Sequence, residues 1–195
     1  MLVTSPAQAT APEGTELIGT KAPRWDVTAW VNSKPLSLDE LKGSVVLVRW
    51  WTGPECSYCA ASAPNLNAWH QQYHDKGLVV IGFYHHKSPE PLSHPHVTQL
   101  IKRYRFKFPV AIDPDWQTLK CWWLDGHDRQ WTSASLLIDR EGVIRYVHPG
   151  GSYTQEDAKV MEAIIRELLE HPLPGKTSTE PNRYRFFFDP SVKQA

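Results

Sequence analysis

Two cysteines in a C-x-x-C arrangement, Cys56 and Cys59, carry the clearest chemical signal in the chain. They sit in the run VVLVRWWTGPECSYCAASAPNLNAW, Val45 to Trp69. A dithiol at this spacing suits thiol-disulfide exchange, half of a zinc site, or two structural thiols. The surroundings favour the first. An apolar, β-branched run ending at Trp51 reads as a buried strand, and Gly53-Pro54 breaks it. If a helix begins near Cys56, its sulfur lies beside unpaired backbone N–H groups and the positive end of the helix dipole. Thiols so placed fall from about 8.5 to between roughly 3.5 and 7.5 in pKa. Cys59, one turn on and inside the helix, is the more buried of the two and is placed to resolve a mixed disulfide formed at Cys56. This exchange needs no cofactor. Zinc needs two more ligands, which only histidines are placed to give, and no metal site is assigned.

Other residue types bear on the same chemistry. Glu55 precedes the nucleophile, either as a carboxylate that works against a thiolate or as a solvated turn residue. Arg49 lies in a strand that otherwise reads as buried, so a carboxylate partner is expected. His85 and His86 follow the second apolar strand; solvated loop histidines are the plain reading, a proton relay to Cys59 the sharper one. Cys121, in LKCWWL, reads as a buried apolar residue. Trp50 and Trp51 read as core, with groove lining as the alternative. His94 and His96 flank Pro95 as loop punctuation. Phe186, Phe187 and Phe188 read as a patch that packs back on the domain or meets a partner.

The elements that must position the dithiol follow from periodicity. Trp25 to Val31 reads as a short strand, and Ser37 to Glu40 as a capping box opening a short helix that ends at Gly43. Val45 to Trp51 is the first central strand. Ser57 to Lys76 is a helix interrupted by Pro64 and stopped by Gly77. Leu78 to Tyr84 completes a β-α-β unit with parallel strands. A proline-rich loop, a helix over Val97 to Phe106, a strand over Phe108 to Ile112 and a helix carrying Leu119, Cys121 and Trp122 come next. Ser135 to Ile138 and Val143 to Val147 form a hairpin around Arg140-Glu141-Gly142. Thr154 caps a last helix with Met161, Ile164, Ile165 and Leu168 on one stripe. The order predicts an α/β domain, mostly parallel with a closing antiparallel hairpin and helices on both faces. Residues 1–16 read as a flexible leader, 17–172 as the domain and 173–195 as an irregular tail.

Composition sets bounds. The chain has 195 residues, with Lys+Arg and Asp+Glu both 21. This balance gives no electrostatic footprint for nucleic acid or an anionic membrane. No run approaches the roughly 18 apolar residues of a membrane span, and mean hydropathy is -0.44. Three cysteines are too few for a disulfide-stapled scaffold. MLVTSPAQATAPEGTE lacks the charged and apolar regions of a signal peptide as it stands.

With these segments in order, the chain resembles the thioredoxin superfamily, most nearly its redoxin branch, which includes TlpA-type thiol-disulfide oxidoreductases and alkyl-hydroperoxide-reductase-like proteins. The resemblance is carried by LIGTKAPRWDVTAWVNSKPLSLDELKGSVVLVRWW, by Pro64 five residues after the second cysteine, and by LLIDREGVIRY. It implies a thioredoxin-like three-layer α/β/α sandwich, a mixed central sheet with an N-terminal β extension. It implies disulfide exchange with protein thiols and disulfides and an upstream electron donor or acceptor. An extracytoplasmic location is the favoured expectation. It also places a substrate-docking loop at Trp131 to Ser133, and Ser133 stands where relatives carry a cis-proline. Glu55 replaces the tryptophan that many thioredoxins carry before the first cysteine. Two alternatives are weighed. A thiol peroxidase would want Pro-x-x-x-Thr/Ser-x-x-Cys, but Arg49 and Gly53 stand at the proline and hydroxyl positions. A non-redox member would hold zinc or a partner without turnover.

Overall fold

The computed structural model describes residues 12–53 and 56–170. Six strands form one sheet in the order β1-β4-β3-β2-β5-β6. They are β1 (Trp30–Val31), β2 (Val45–Trp51), β3 (Leu78–His85), β4 (Val110–Asp113), β5 (Ala134–Ile138) and β6 (Ile144–Pro149). β2, β3 and β4 run parallel. β5 pairs antiparallel with β2 and with β6, and β1 pairs antiparallel with β4. The sheet is therefore mixed, and β2, which delivers the chain to the cysteines, is central to it.

The continuous apolar run of β2 is explained by burial on both faces. Val45, Leu47 and Trp51 join one core with Leu66, Trp69 and Tyr73 of α1 (Ser57–Tyr73), Leu100 and Ile101 of α2 (His94–Arg103), and Ile164 and Ile165 of α4 (Gln155–Glu170). Val46, Val48 and Trp50 join a second core with Phe83, Trp25, Trp122 and Trp123. That second face is covered by α3 (Gln117–Leu119), by the wider π-turn Lys120–Leu124 that continues it, and by the irregular segment before β2. Trp50 and Trp51 are thus core residues. Each large apolar side chain so buried contributes about 1.5–3 kcal/mol.

Several boundaries differ from expectation for identifiable reasons. The strand expected over Trp25 to Val31 shrinks to two residues. The segment is held instead by indoles, Trp25 Nε1 donating to Leu36 O at 2.6 Å and Trp30 Nε1 to Val27 O at 2.6 Å. The capping box at Ser37 forms, with Ser37 N and Oγ both donating to Glu40 Oε2 at 2.9 Å. Only turns follow it, because Gly43 ends the segment before a helix can repay its nucleation. α2 starts earlier than the apolar pattern, with Ser93 as its cap and Pro95 in the first turn. Cys121, expected buried, is exposed. The π-turn gives the inward positions to Trp122 and Trp123 and turns Cys121 outward.

Residues 12 to 16, assigned to the leader by composition, make defined contacts. Glu16 pairs with Arg129, and Glu13 Oε1 accepts from Gln130 N at 2.8 Å. The rest of the leader, Glu55, and the tail with its three phenylalanines lie outside the described residues. None of the described helices is long and apolar enough to cross a membrane.

Candidate dithiol site

Strand β2 ends at Trp51, and α1 begins at Ser57 with Cys56 as its N-cap. The cap is made by sulfur: Cys59 N donates to Cys56 Sγ at 3.1 Å. Cys56 Sγ thus occupies the place of a capping oxygen, where first-turn N–H groups and the helix dipole stabilise negative charge. Cys56 and Cys59 form a disulfide with a Cα–Cα distance of 5.2 Å, within the range a bridge requires. Cys56 is partly exposed, whereas Cys59 is 1% exposed. Thr52 N donates to Cys59 Sγ at 3.5 Å from the end of β2. The helix-capping cysteine is the more exposed of the two, and Cys59 is buried.

Three arrangements surround the pair. The first is an aromatic rim. Tyr58, inside the C-x-x-C itself, is 52% exposed, and Trp131 is 41% exposed. Their rings meet edge to face with centroids 6.1 Å apart. Trp131 is held by its backbone, since Trp123 Nε1 donates to Trp131 O at 2.6 Å. Ser133 is mostly buried at the entry to β5, where its carbonyl accepts from Gly150 N at 2.9 Å. No peptide bond among the described residues is cis.

The second is a clamp on Arg49. Its side chain is fully buried and, contrary to expectation, meets no carboxylate among the described residues. The guanidinium donates to Gly150 O at 2.7 Å, to Gly151 O at 2.5 Å and to Ser135 Oγ at 3.2 Å. Tyr153 lies against it, 5.6 Å from ring centroid to Cζ. Two carbonyl dipoles and a π face replace the anion, since the fork of donors fits consecutive carbonyls. Burial lowers the Arg49 pKa from its ordinary value.

The third is His85, the last residue of β3. It is buried, with Nε2 3.3 Å from Thr132 Oγ1 in the loop before β5. Burial, then the charges of Lys87 and Arg49, push its pKa down to about 3, so the ring is neutral at ordinary pH. His86 is tied to Tyr84 Oη at 3.0 Å and to Glu90 O at 2.6 Å. Among the described residues no group of three or more His, Cys, Asp or Glu is placed to hold a metal.

Sequence reasoning placed the cysteines, Trp131 and His85 at this end of the sheet. It missed Tyr58 and the Arg49 clamp. Tyr58 had a signal, since it stands between the two cysteines. The Gly150-Gly151 pair at the end of β6 was the signal for a close approach.

A mixed sheet in a three-layer sandwich, with the C-x-x-C opening the helix after a central parallel strand, defines a thioredoxin-like protein. Within that class the chain belongs to the Redoxin family, whose model matches residues 7–165. It is similar to the protein DipZ of Mycobacterium tuberculosis, 30% identical over 170 residues, covering 86% of this chain but 23% of that protein. The chain therefore spans about a quarter of DipZ's length. It is similar to the thiol-disulfide oxidoreductase ResA of Bacillus cereus, 28% identical over 158 residues, 81% of this chain and 75% of that one. Among solved structures it resembles DsbE from Chlorobium tepidum, assigned as a thiol:disulfide interchange protein. That match has a TM-score of 0.64 and 26% identity, covering 78% of this chain and 97% of that one.

Proposed function

We propose that the chain is a thiol-disulfide oxidoreductase acting on protein partners, with Cys56 as nucleophile and Cys59 as resolving thiol. The observation that carries this reading is the N-cap: Cys56 Sγ accepts the Cys59 N–H at 3.1 Å, and Cys56 is the more exposed member of the bridge. Relatives named as thiol-disulfide oxidoreductases support it.

In the reducing direction, the Cys56 thiolate attacks one sulfur of a partner disulfide. A Cys56–partner bond forms, and the other partner sulfur leaves as a thiolate. Cys59 then loses its proton and attacks Cys56 Sγ. The mixed disulfide breaks, the partner's second thiolate leaves and the Cys56–Cys59 bond closes. The partner gains two electrons and two protons, and the dithiol loses them. An upstream dithiol reverses the loss. Trp131, with Tyr58, offers the apolar rim on which the partner rests, and Ser133 forms the adjacent edge of the docking loop.

Turnover of a model protein disulfide with a dithiol donor tests the reading. Cys56→Ser is expected to reduce the rate to background. Cys59→Ser is expected to accumulate a Cys56–partner mixed disulfide visible by mass spectrometry. Undiminished activity in Cys56→Ser would overturn it. Hydrogen peroxide consumption at low thiol concentration, expected at background, separates the reading from a thiol peroxidase.

A further inference from the structure

The face of α1 that starts at Cys56 borders a cleft that the exchange chemistry does not use. Ala60, Ala63, Asn67, His70 and His74 recur at spacings of three and four, one stripe of the helix. Cys56 precedes Ala60 by four and lies on the same stripe, with Ala60 N donating to Cys56 O at 3.2 Å. The opposite wall is the segment that leaves α2 toward β4, and the cleft between them has a volume of about 710 Å³.

Charge in this cleft is mainly positive. Arg103, Arg105 and Lys107 line it, and among the described residues no carboxylate does; Asp75 is paired with His74 at the far end, 3.0 Å away. All three are exposed. None takes part in an ion pair among the described residues. The chain as a whole is neutral, so this is local segregation and not a consequence of composition.

The cationic wall is preorganised. Phe106 and Phe108 are buried while Arg105 and Lys107 alternate with them outward. Asn32 Nδ2 donates to Phe106 O at 3.0 Å and to Phe108 O at 3.1 Å from one side. Asn67 Nδ2 donates to Tyr104 O at 2.8 Å from the α1 side. Arg105 holds a positive φ of 58°, a conformation rare for a residue with a side chain. These bonds fix the backbone from which the three cations project.

We propose that this cleft docks an acidic, extended segment of the disulfide-bearing partner and leads its cysteine to Cys56. The inference rests on the dithiol reading above and deepens it by naming the kind of partner. Dimension and lining favour a polypeptide over a small anion. From Ala60 to His74 the cleft follows about 21 Å of helix at 1.5 Å per residue. An extended chain covers that in about six residues at 3.3 Å each. The floor is partly apolar, formed by Ala60, Ala63 and Pro64, which a phosphate-sized ion would leave uncovered. Cations held in place along such a track raise encounter rates with an acidic partner and lose that advantage in salt.

The test uses the full chain with its dithiol reduced. Two matched peptides each carry one cysteine as a mixed disulfide with thionitrobenzoate. In one, the residues flanking the cysteine are glutamates; in the other they are glutamines. Cys56 attacks the peptide sulfur and releases coloured thionitrobenzoate, and Cys59 then displaces the peptide thiol and closes the bridge. At low ionic strength the acidic peptide is expected to react about 10-fold faster. At about 0.5 M salt that preference should shrink severalfold. The combined variant Arg103→Gln, Arg105→Gln, Lys107→Gln should bring the acidic peptide down to the neutral rate and leave the neutral rate unchanged. These positions are exposed, and circular dichroism checks that the variant folds. Equal rates for the two peptides, or a preference that survives the variant, overturn the proposal. So does a preference abolished by inorganic phosphate far more effectively than by sodium chloride of equal ionic strength, which would assign the cleft to a small anion. If neither peptide reacts, the dithiol reading falls and this inference with it. Reaction of both at one rate removes only the cleft.

Discussion

At the scale of single residues, the dithiol end of the sheet joins a partly exposed cysteine to two buried basic groups that pair with no carboxylate among the described residues. The Arg49 guanidinium is solvated by the carbonyls of Gly150 and Gly151, and His85 is kept neutral by burial. The histidine makes a measurable claim. Its folded-state pKa is lowered from 6.5 to about 3. As pH falls, the unfolded chain takes up this proton first, so the folded state loses stability progressively from about 6.5 down to about 3. A one-proton difference gives a slope of up to about 1.4 kcal/mol per pH unit. His70, lowered chiefly by burial, adds to the slope in the same direction. Denaturant midpoints measured across that window should decline for the native chain and decline distinctly less for His85→Asn, whatever the variant's starting stability. Parallel profiles would show that the ring accepts its proton in place. In that case a proton relay from His85 toward Cys59 would become chemically reasonable again.

At the scale of elements, caps decide where helices start more than apolar stripes do. Thr154 and Asp157 form a reciprocal cap on α4: Thr154 N and Oγ1 donate to Asp157 Oδ2 at 2.9 and 2.7 Å, and Asp157 N donates back at 3.1 Å. His148 of β6 reaches the same carboxylate at 3.4 Å, so the cap also ties α4 to the sheet. The His148 bond first, then Thr154, holds the Asp157 carboxyl well below the usual carboxylate range. A depressed acid stabilises the fold above its unfolded pKa of about 3.9 and loses that contribution as pH falls further. Asp157→Asn is therefore expected to lower stability near neutrality and to flatten the decline below about pH 4, leaving intact the part of the His85 window that lies above about pH 4. Urea titrations at stepped pH distinguish the two windows. The same logic explains what was legible beforehand. β2, α1 and the buried face of α4 were readable because one periodicity covers each whole element: Val45–Trp51 is the observed strand, and Met161, Ile164, Ile165 and Leu168 are the buried residues of α4. β1 was overread because Trp25 and Trp30 supply apolar character through indole anchors and not through a ladder. The π-turn was invisible because a five-residue hydrogen-bond period leaves no apolar repeat of its own, and Cys121 was misplaced with it. In the site, residue type announced the cysteines, but the Arg49 clamp depends on Gly150 and Gly151, about a hundred residues away.

At the scale of the whole molecule, the dithiol lies between two unlike surfaces, the Tyr58–Trp131 rim and the cationic cleft along α1, and its position depends on how α1 is seated on the sheet. Leu66, Trp69 and Tyr73 seat α1 in the core, and the connection between β6 and α4 meets its first turn at Tyr58. A Cβ added at Gly151 would come within 2.5 Å of Tyr58 Cβ and 3.7 Å of Arg49 Nη2. The first contact is with an atom fixed to the helix backbone, so relief requires backbone to shift, and a shift of α1 displaces the turn that carries Cys56 and Cys59. Gly150 is a useful contrast: it has a φ of 88°, and an added Cβ there meets nothing within 4 Å. Alanine at either position is expected to destabilise the fold by roughly 1–3 kcal/mol, through left-handed backbone strain at Gly150 and through overpacking at Gly151. The consequences for chemistry should separate. Gly150→Ala leaves the first turn of α1 in place and should react with a small aromatic disulfide at the native rate. Gly151→Ala pushes the Cys59 N–H away from Cys56 Sγ, weakens the cap that favours the thiolate, and should raise the Cys56 pKa and slow that reaction at neutral pH. The pH–rate profile of the reduced chain measures both. A Gly151→Ala profile that overlays the native one would mean that the N-terminal turn of α1 keeps its geometry without the glycine pair, and that the Arg49 clamp supports stability but not reactivity.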